Sequence, residues 1–132
     1  MASTRRMRSL LIASMVIVLG LLACAWAVTV ISIQVAPNVL NILSEGEVVT
    51  VHTDIGFSLV DARSVVLNGV PISGWKADNR GNFVAKFLMA DVKLLDWDLG
   101  RLNTVTLSGV TVAGEPFSGS AEILVVMNEP KI

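Results

Sequence analysis

The chain has one cysteine (Cys24), one histidine (His52) and no tyrosine in 132 residues. A single cysteine excludes an internal disulfide, so the fold must hold by packing alone. One histidine beside one cysteine leaves no ligand set for a structural zinc ion. Charge is scarce too: 16% of residues are Asp, Glu, Lys or Arg, and no acidic residue precedes Glu45. Three of the ten Lys/Arg lie before Val28 and all 11 Asp/Glu lie after it, so from Val28 onward 7 basic residues face 11 acidic ones, a net charge of −4. That balance excludes the basic footprint of nucleic-acid binding and supplies no polybasic patch for anionic lipid. No glycine-rich phosphate loop, metal-spaced cluster or nucleophile elbow occurs, so the sequence points to no cofactor, no metal and no enzyme activity.

What is present begins at the N-terminus. Arg5, Arg6 and Arg8 form a basic head, an uncharged apolar run extends from Leu10 to Leu22, and Ala23-Cys24-Ala25-Trp26-Ala27 follows. This is the pattern of an export segment. Three outcomes fit it. Ala25 and Ala27 have the A-x-A spacing for signal-peptidase cleavage after Ala27. Leu21-Leu22-Ala23-Cys24 has the form of a lipobox, with Cys24 acylated and the domain held at a bilayer. Retention as an anchor is the third, because Leu10 to Val35 carries no charge and about 20 apolar residues span a bilayer. Residues 1–27 are thus expected to form a hydrophobic signal or anchor helix, and 28–132 a secreted, periplasmic or envelope-associated domain of bacterial character. The membrane is a partner only through the N-terminal segment.

From Val28 the segments are short, rich in Val, Ile and Thr, and separated by Gly, Asn, Asp and Pro, which predicts an all-β fold. Strands are predicted at Val28–Val35, Val39–Leu43, Glu47–Ile55, Ser64–Asn68, Val70–Trp75, Phe83–Leu88, Thr104–Val112 and Ala121–Met127. In the third, Val49, Val51, Thr53 and Ile55 share one face and Val48, Thr50, His52 and Asp54 the other. Phe83, Ala85 and Phe87 form one inward row, and Ala121, Ile123, Val125 and Met127 another. Met89–Leu95 is the one helical candidate, a crossover between sheets. Seven to eight strands at this spacing predict an immunoglobulin-like antiparallel β-sandwich, with a small barrel as the alternative. Ser64-Val65-Val66-Leu67-Asn68-Gly69-Val70 is echoed 40 residues later by Thr104-Val105-Thr106-Leu107-Ser108-Gly109-Val110. Common hairpin chemistry accounts for the echo.

Ile31-Ser32-Ile33-Gln34-Val35-Ala36-Pro37-Asn38 with Leu40-Asn41, Val49-Thr50-Val51-His52, Val66-Leu67-Asn68-Gly69, Phe83-Val84-Ala85-Lys86-Phe87, Thr104-Val105-Thr106-Leu107-Ser108-Gly109 and Gly114-Glu115-Pro116-Phe117-Ser118-Gly119-Ser120 carry a resemblance. The chain resembles uncharacterised exported bacterial and archaeal proteins with immunoglobulin-like or fibronectin-like sandwiches. The resemblance implies that fold on an envelope or secreted protein, and no activity. Its members often carry a D-x-D-x-D-G loop suited to calcium before the strand that corresponds to Phe83–Phe87. Here Lys76 and Arg80 take two of the acidic positions, and Asp78 reads as a turn residue.

Four candidate features remain. His52 lies on a polar strand face. Asp91, Asp96 and Asp98 flank Trp97 without a calcium-loop spacing. Trp75 and Trp97 could form an aromatic platform for a sugar ring, since aromatic faces bury large areas. The terminal segment Val28–Val35 could be exchanged between copies or added to another sheet. The reading is therefore a non-catalytic exported structural or interaction module with an unidentified protein or glycan partner and scope for self-association. The alternative is a carbohydrate-binding module using Trp75 and Trp97.

Overall fold

Alternating burial builds the sheets. The structure is a computed structural model that describes residues 27–129. The N-terminal hydrophobic helix expected in the leader lies outside them, as do Cys24 and Ala25; Ala27 is the first described residue and is exposed. Ten strand segments follow in order: β1 (Thr29–Val30), β2 (Ile33–Ala36), β3 (Val39–Asn41), β4 (Val48–Gly56), β5 (Val66–Leu67), β6 (Val70–Pro71), β7 (Gly74–Ala77), β8 (Asn82–Leu88), β9 (Arg101–Val110) and β10 (Pro116–Val126). One short helix, α1 (Met89–Lys93), links β8 to β9.

The strands form two sheets, as a β-sandwich requires. One has the order β1-β10-β9-β5-β6, with β3 also paired to β10; the other has the order β2-β4-β8-β7. The inner rows make one core. Val49 and Val51 of β4 meet Phe83, Ala85 and Phe87 of β8, and Val105, Leu107, Phe117, Ile123 and Val125 come from the opposite sheet. The one buried polar side chain among the described residues, Thr53, donates its hydroxyl to the Phe83 carbonyl at 2.6 Å, so its burial leaves no unpaired group. Met89 and Val92 of α1 close one end of the core, with the Met89 N–H bonded to the Glu47 carbonyl at 3.0 Å. The helix thus serves as the predicted crossover.

Five sequence expectations need correction. First, two predicted strands are each divided. Val28–Val35 gives β1 to one sheet and β2 to the other; Val70–Trp75 gives β6 and β7 in the same way. Each segment has apolar residues on both sides of its break, which hides the point at which the chain changes sheets. This division raises the count from seven or eight strands to ten. Second, the sandwich is not wholly antiparallel: β1 and β3 both pair parallel to β10. Third, Ala62–Ser64 is a 3-10 turn, and β5 starts at Val66. Fourth, β10 begins at Pro116, so Phe117 and Gly119 join its inward row while Met127 lies outside it, 51% exposed. Fifth, the loop between β7 and β8 is shorter than predicted, because Lys76 and Ala77 belong to β7.

Candidate functional site

On the outer face of β4, Thr50, His52 and Asp54 alternate with the buried Val49, Val51 and Thr53, as the period of two requires. Register then places neighbours beside them. Gln34 of β2 pairs with His52, and Val84 of β8 pairs with it from the other side. Lys76 of β7 pairs with Val84 in turn. Val84 is fully buried but stands apart from the main core, on the outer face between these polar neighbours. Long stems such as that of lysine cover apolar surface while keeping the charged head in water.

Toward the end of the sheet this face opens into a groove of about 490 Å³, lined by Gln34, His52, Asp54, Asp78, Arg80 and Asn82, among others. Its carboxylates are fixed by main-chain donors. Asp54 Oδ1 accepts the Ser32 N–H at 2.9 Å, and the Asp54 N–H returns a bond to the Ser32 carbonyl at 3.2 Å. Asp78 Oδ1 accepts the N–H groups of Arg80 at 2.8 Å and Asn82 at 2.9 Å. This double acceptance closes the β7–β8 turn and supports the reading of Asp78 as a turn residue. The Asp78 carboxyl is held below the usual aspartate value, first by the Asn82 N–H, then by the Arg80 N–H and by the charges of Arg80 and His52; burial opposes them. Among the described residues no hydrogen bond joins His52 to Ser32, Asp54 or Asp78. The groove therefore offers a mixed set of anchored acceptors and exposed donors, the chemistry of polar ligand recognition.

The two tryptophans have different roles. Trp75 shares a row with Ala85 and Val51 on the inner side of the sheet. It stands on the edge strand β7, so the row ends in an indole that is 41% exposed. Trp97 follows α1, packs against the core, and donates its indole N–H to the Val92 carbonyl at 3.0 Å. Neither residue lines the polar groove. Asp91, Asp96 and Asp98 do not converge: among the described residues no group of three or more His, Cys, Asp or Glu could hold a metal ion. The Asp98 main chain is instead tied to Asn103, whose amide bonds the Asp98 N–H and C=O, both at 2.9 Å.

Sequence reasoning found half of this site. The alternation in β4 marks His52 and Asp54 as outward residues. Nothing in the sequence brings Asp78 and Arg80 to them; that follows from the pairing of β4 with β8. Among the described residues no helix is long and apolar enough to cross a membrane. No family model, curated protein or solved structure matches the chain.

Proposed function

We propose that this chain is an exported, non-catalytic interaction module of the cell envelope or extracellular space, built on an immunoglobulin-like sandwich. The orders β2-β4-β8-β7 and β6-β5-β9-β10 support the finer fold reading. They correspond to the A-B-E-D and C′-C-F-G orders of immunoglobulin-like domains. The observation that carries the functional reading is the polar groove around His52, Asp54, Asp78 and Arg80. It is set on paired strands and a capped turn, and so is organised before any ligand arrives. The test is capture of envelope proteins and glycans by the full chain and by an Arg80→Glu variant. Binding that Arg80→Glu abolishes supports the groove; binding that it leaves unchanged places the ligand elsewhere.

The carbohydrate-binding alternative draws on the exposure of Trp75. Trp75→Ala and Trp97→Ala separate the readings. Loss of glycan signal at unchanged stability favours a platform, and loss of stability without a glycan signal favours packing. Strand addition through Val28–Val35 requires release of Ile31, Ile33 and Val35, all members of the core. Exchange by this route therefore involves opening the domain. Intact mass of the chain from expressing bacteria separates cleavage after Ala27 from acylation at Cys24 and from retention.

A further inference from the structure

The end of the sandwich at which the chain enters carries a row of exposed apolar side chains. Val28 and Val30 are 49% and 84% exposed, Val112 is 70% exposed and Leu59 is 54% exposed. Their proximity follows from the pairing. β1 lies parallel to the start of β10, with Thr29 opposite Phe117. β10 is joined to β9 by the Thr111–Glu115 turn, whose tip holds Val112. On the far side of that turn, Val60 bridges Thr111, and the Val112 N–H bonds the Leu59 carbonyl at 2.9 Å. Val28, Val112 and Leu59 thus occupy one end in sequence across three neighbouring segments.

We infer that this apolar tip rests in the surface of the bilayer that holds the N-terminal segment. The inference rests on the export reading of residues 1–27, in its retained or acylated form. Chain length makes the contact hard to avoid. A span starting at Leu10 needs about 20 residues and ends near Thr29, the first residue of β1. An acyl group on Cys24 leaves only Ala25, Trp26 and Ala27 before Val28, a reach of at most about 14 Å. Either tether presses this end of the domain against the headgroups. The opposite end also exposes apolar residues, Leu43, Leu94 and Leu99 among them. It is separated from the leader by the length of β9, about 30 Å for ten residues, and faces away. Asp61, Arg63 and Glu115 border the tip and carry both signs of charge. Apolar contact, not attraction to anionic lipid, therefore holds it. The groove lies at the same end, since Phe57, just before Leu59, bonds the Gly81 carbonyl of the β7–β8 loop. It would open close to the membrane surface.

The test uses the full chain with its leader, Cys24 replaced by Ser, in phosphatidylcholine vesicles that include lipids brominated on their acyl chains. A fluorophore is attached through Val112→Cys or, at the distal end, through Leu94→Cys. The Val112 probe is expected to lose about half of its emission or more and the Leu94 probe to be unaffected. Adding Leu59→Asp, an exposed change that leaves the core intact, should restore emission at position 112. A chain that floats with the vesicles but shows no quenching at 112, or equal quenching at 112 and 94, overturns the tip contact alone. A chain that separates from the vesicles overturns the tip contact for a retained leader, together with that anchoring reading.

Discussion

Leu67-Asn68-Gly69-Val70 and Leu107-Ser108-Gly109-Val110 are nearly the same tetrapeptide, yet the first is a tight turn and the second is continuous strand. Asn68 and Gly69 both have left-handed backbone, φ 46° and 84°, and join β5 to β6. Ser108 and Gly109 lie in continuous strand near the end of β9. The two segments also lie side by side, because Leu67 pairs with Leu107 and Val66 with Ser108. Two local causes separate them. Asparagine tolerates the left-handed region, and the Asn68 amide completes the edge of β9. Its Oδ1 accepts the Thr106 N–H at 2.8 Å and its Nδ2 donates to the Thr104 carbonyl at 3.3 Å. Gly109 is glycine for lack of space: a Cβ there would lie 2.9 Å from the Phe117 ring and 3.0 Å from Val65 Cγ2. The same letter thus serves conformation in the turn and close packing in the strand.

The comparison can be broken in several places. The largest effect is expected at the paired leucines. Both are fully buried, so Leu67→Ala and Leu107→Ala should each cost about 2–5 kcal/mol, similar in size despite the unlike backbones around them. Urea denaturation measures this, and a cost well below that range at either site would show that the site collapses around the lost volume. Asparagine at the two glycines sharpens the contrast. Gly109→Asn should destabilise by about 1–3 kcal/mol through overpacking, more if the amide is left without a partner. Gly69→Asn should cost under about 1 kcal/mol, since nothing lies within 4 Å of its missing Cβ. Equal costs would refute the assignment of space at one and conformation at the other.

Asn68→Ala removes both amide bonds to β9 and should cost about 1–2 kcal/mol. Faster hydrogen exchange at the Thr106 amide is the specific readout, and unchanged protection there would dismiss the edge-completing role. The smallest effect concerns Asp78, which closes its turn with a charged side chain. Its folded pKa lies below the unfolded value. Its contribution is therefore complete above the ordinary aspartate range and is lost as pH falls through the lower folded value. The amides of Arg80 and Asn82 should lose protection in that acidic window while those of Thr104 and Thr106 keep theirs. Loss at both pairs of amides together would indicate global unfolding instead.

Much of the fold was legible wherever a short-range rule acts alone. The period of two in β4 separated Val49, Val51 and Thr53 from His52 and Asp54, and the Phe83-Ala85-Phe87 row emerged from the same rule. The changes of sheet after Val30 and after Pro71 were not legible. Apolar residues stand on both sides of each break, and the division depends on which sheet each half meets. The groove was half legible for a related reason, since Asp78 and Arg80 reach it only through the β4–β8 register.

The sequence by itself determined the apolar N-terminal run behind a basic head, the acidic balance and lack of an internal disulfide from Val28 onward, the all-β character and the two faces of the clearest strand. These depend on composition and on the alternation of side chains along one strand, which neighbouring residues control. Only the tertiary structure decided which strands pair, where the chain passes between sheets, which glycine turns and which packs, and which polar side chains share a groove. Those outcomes depend on contacts between residues far apart in the chain, where shape and backbone hydrogen bonding select one arrangement from many that the local pattern allows.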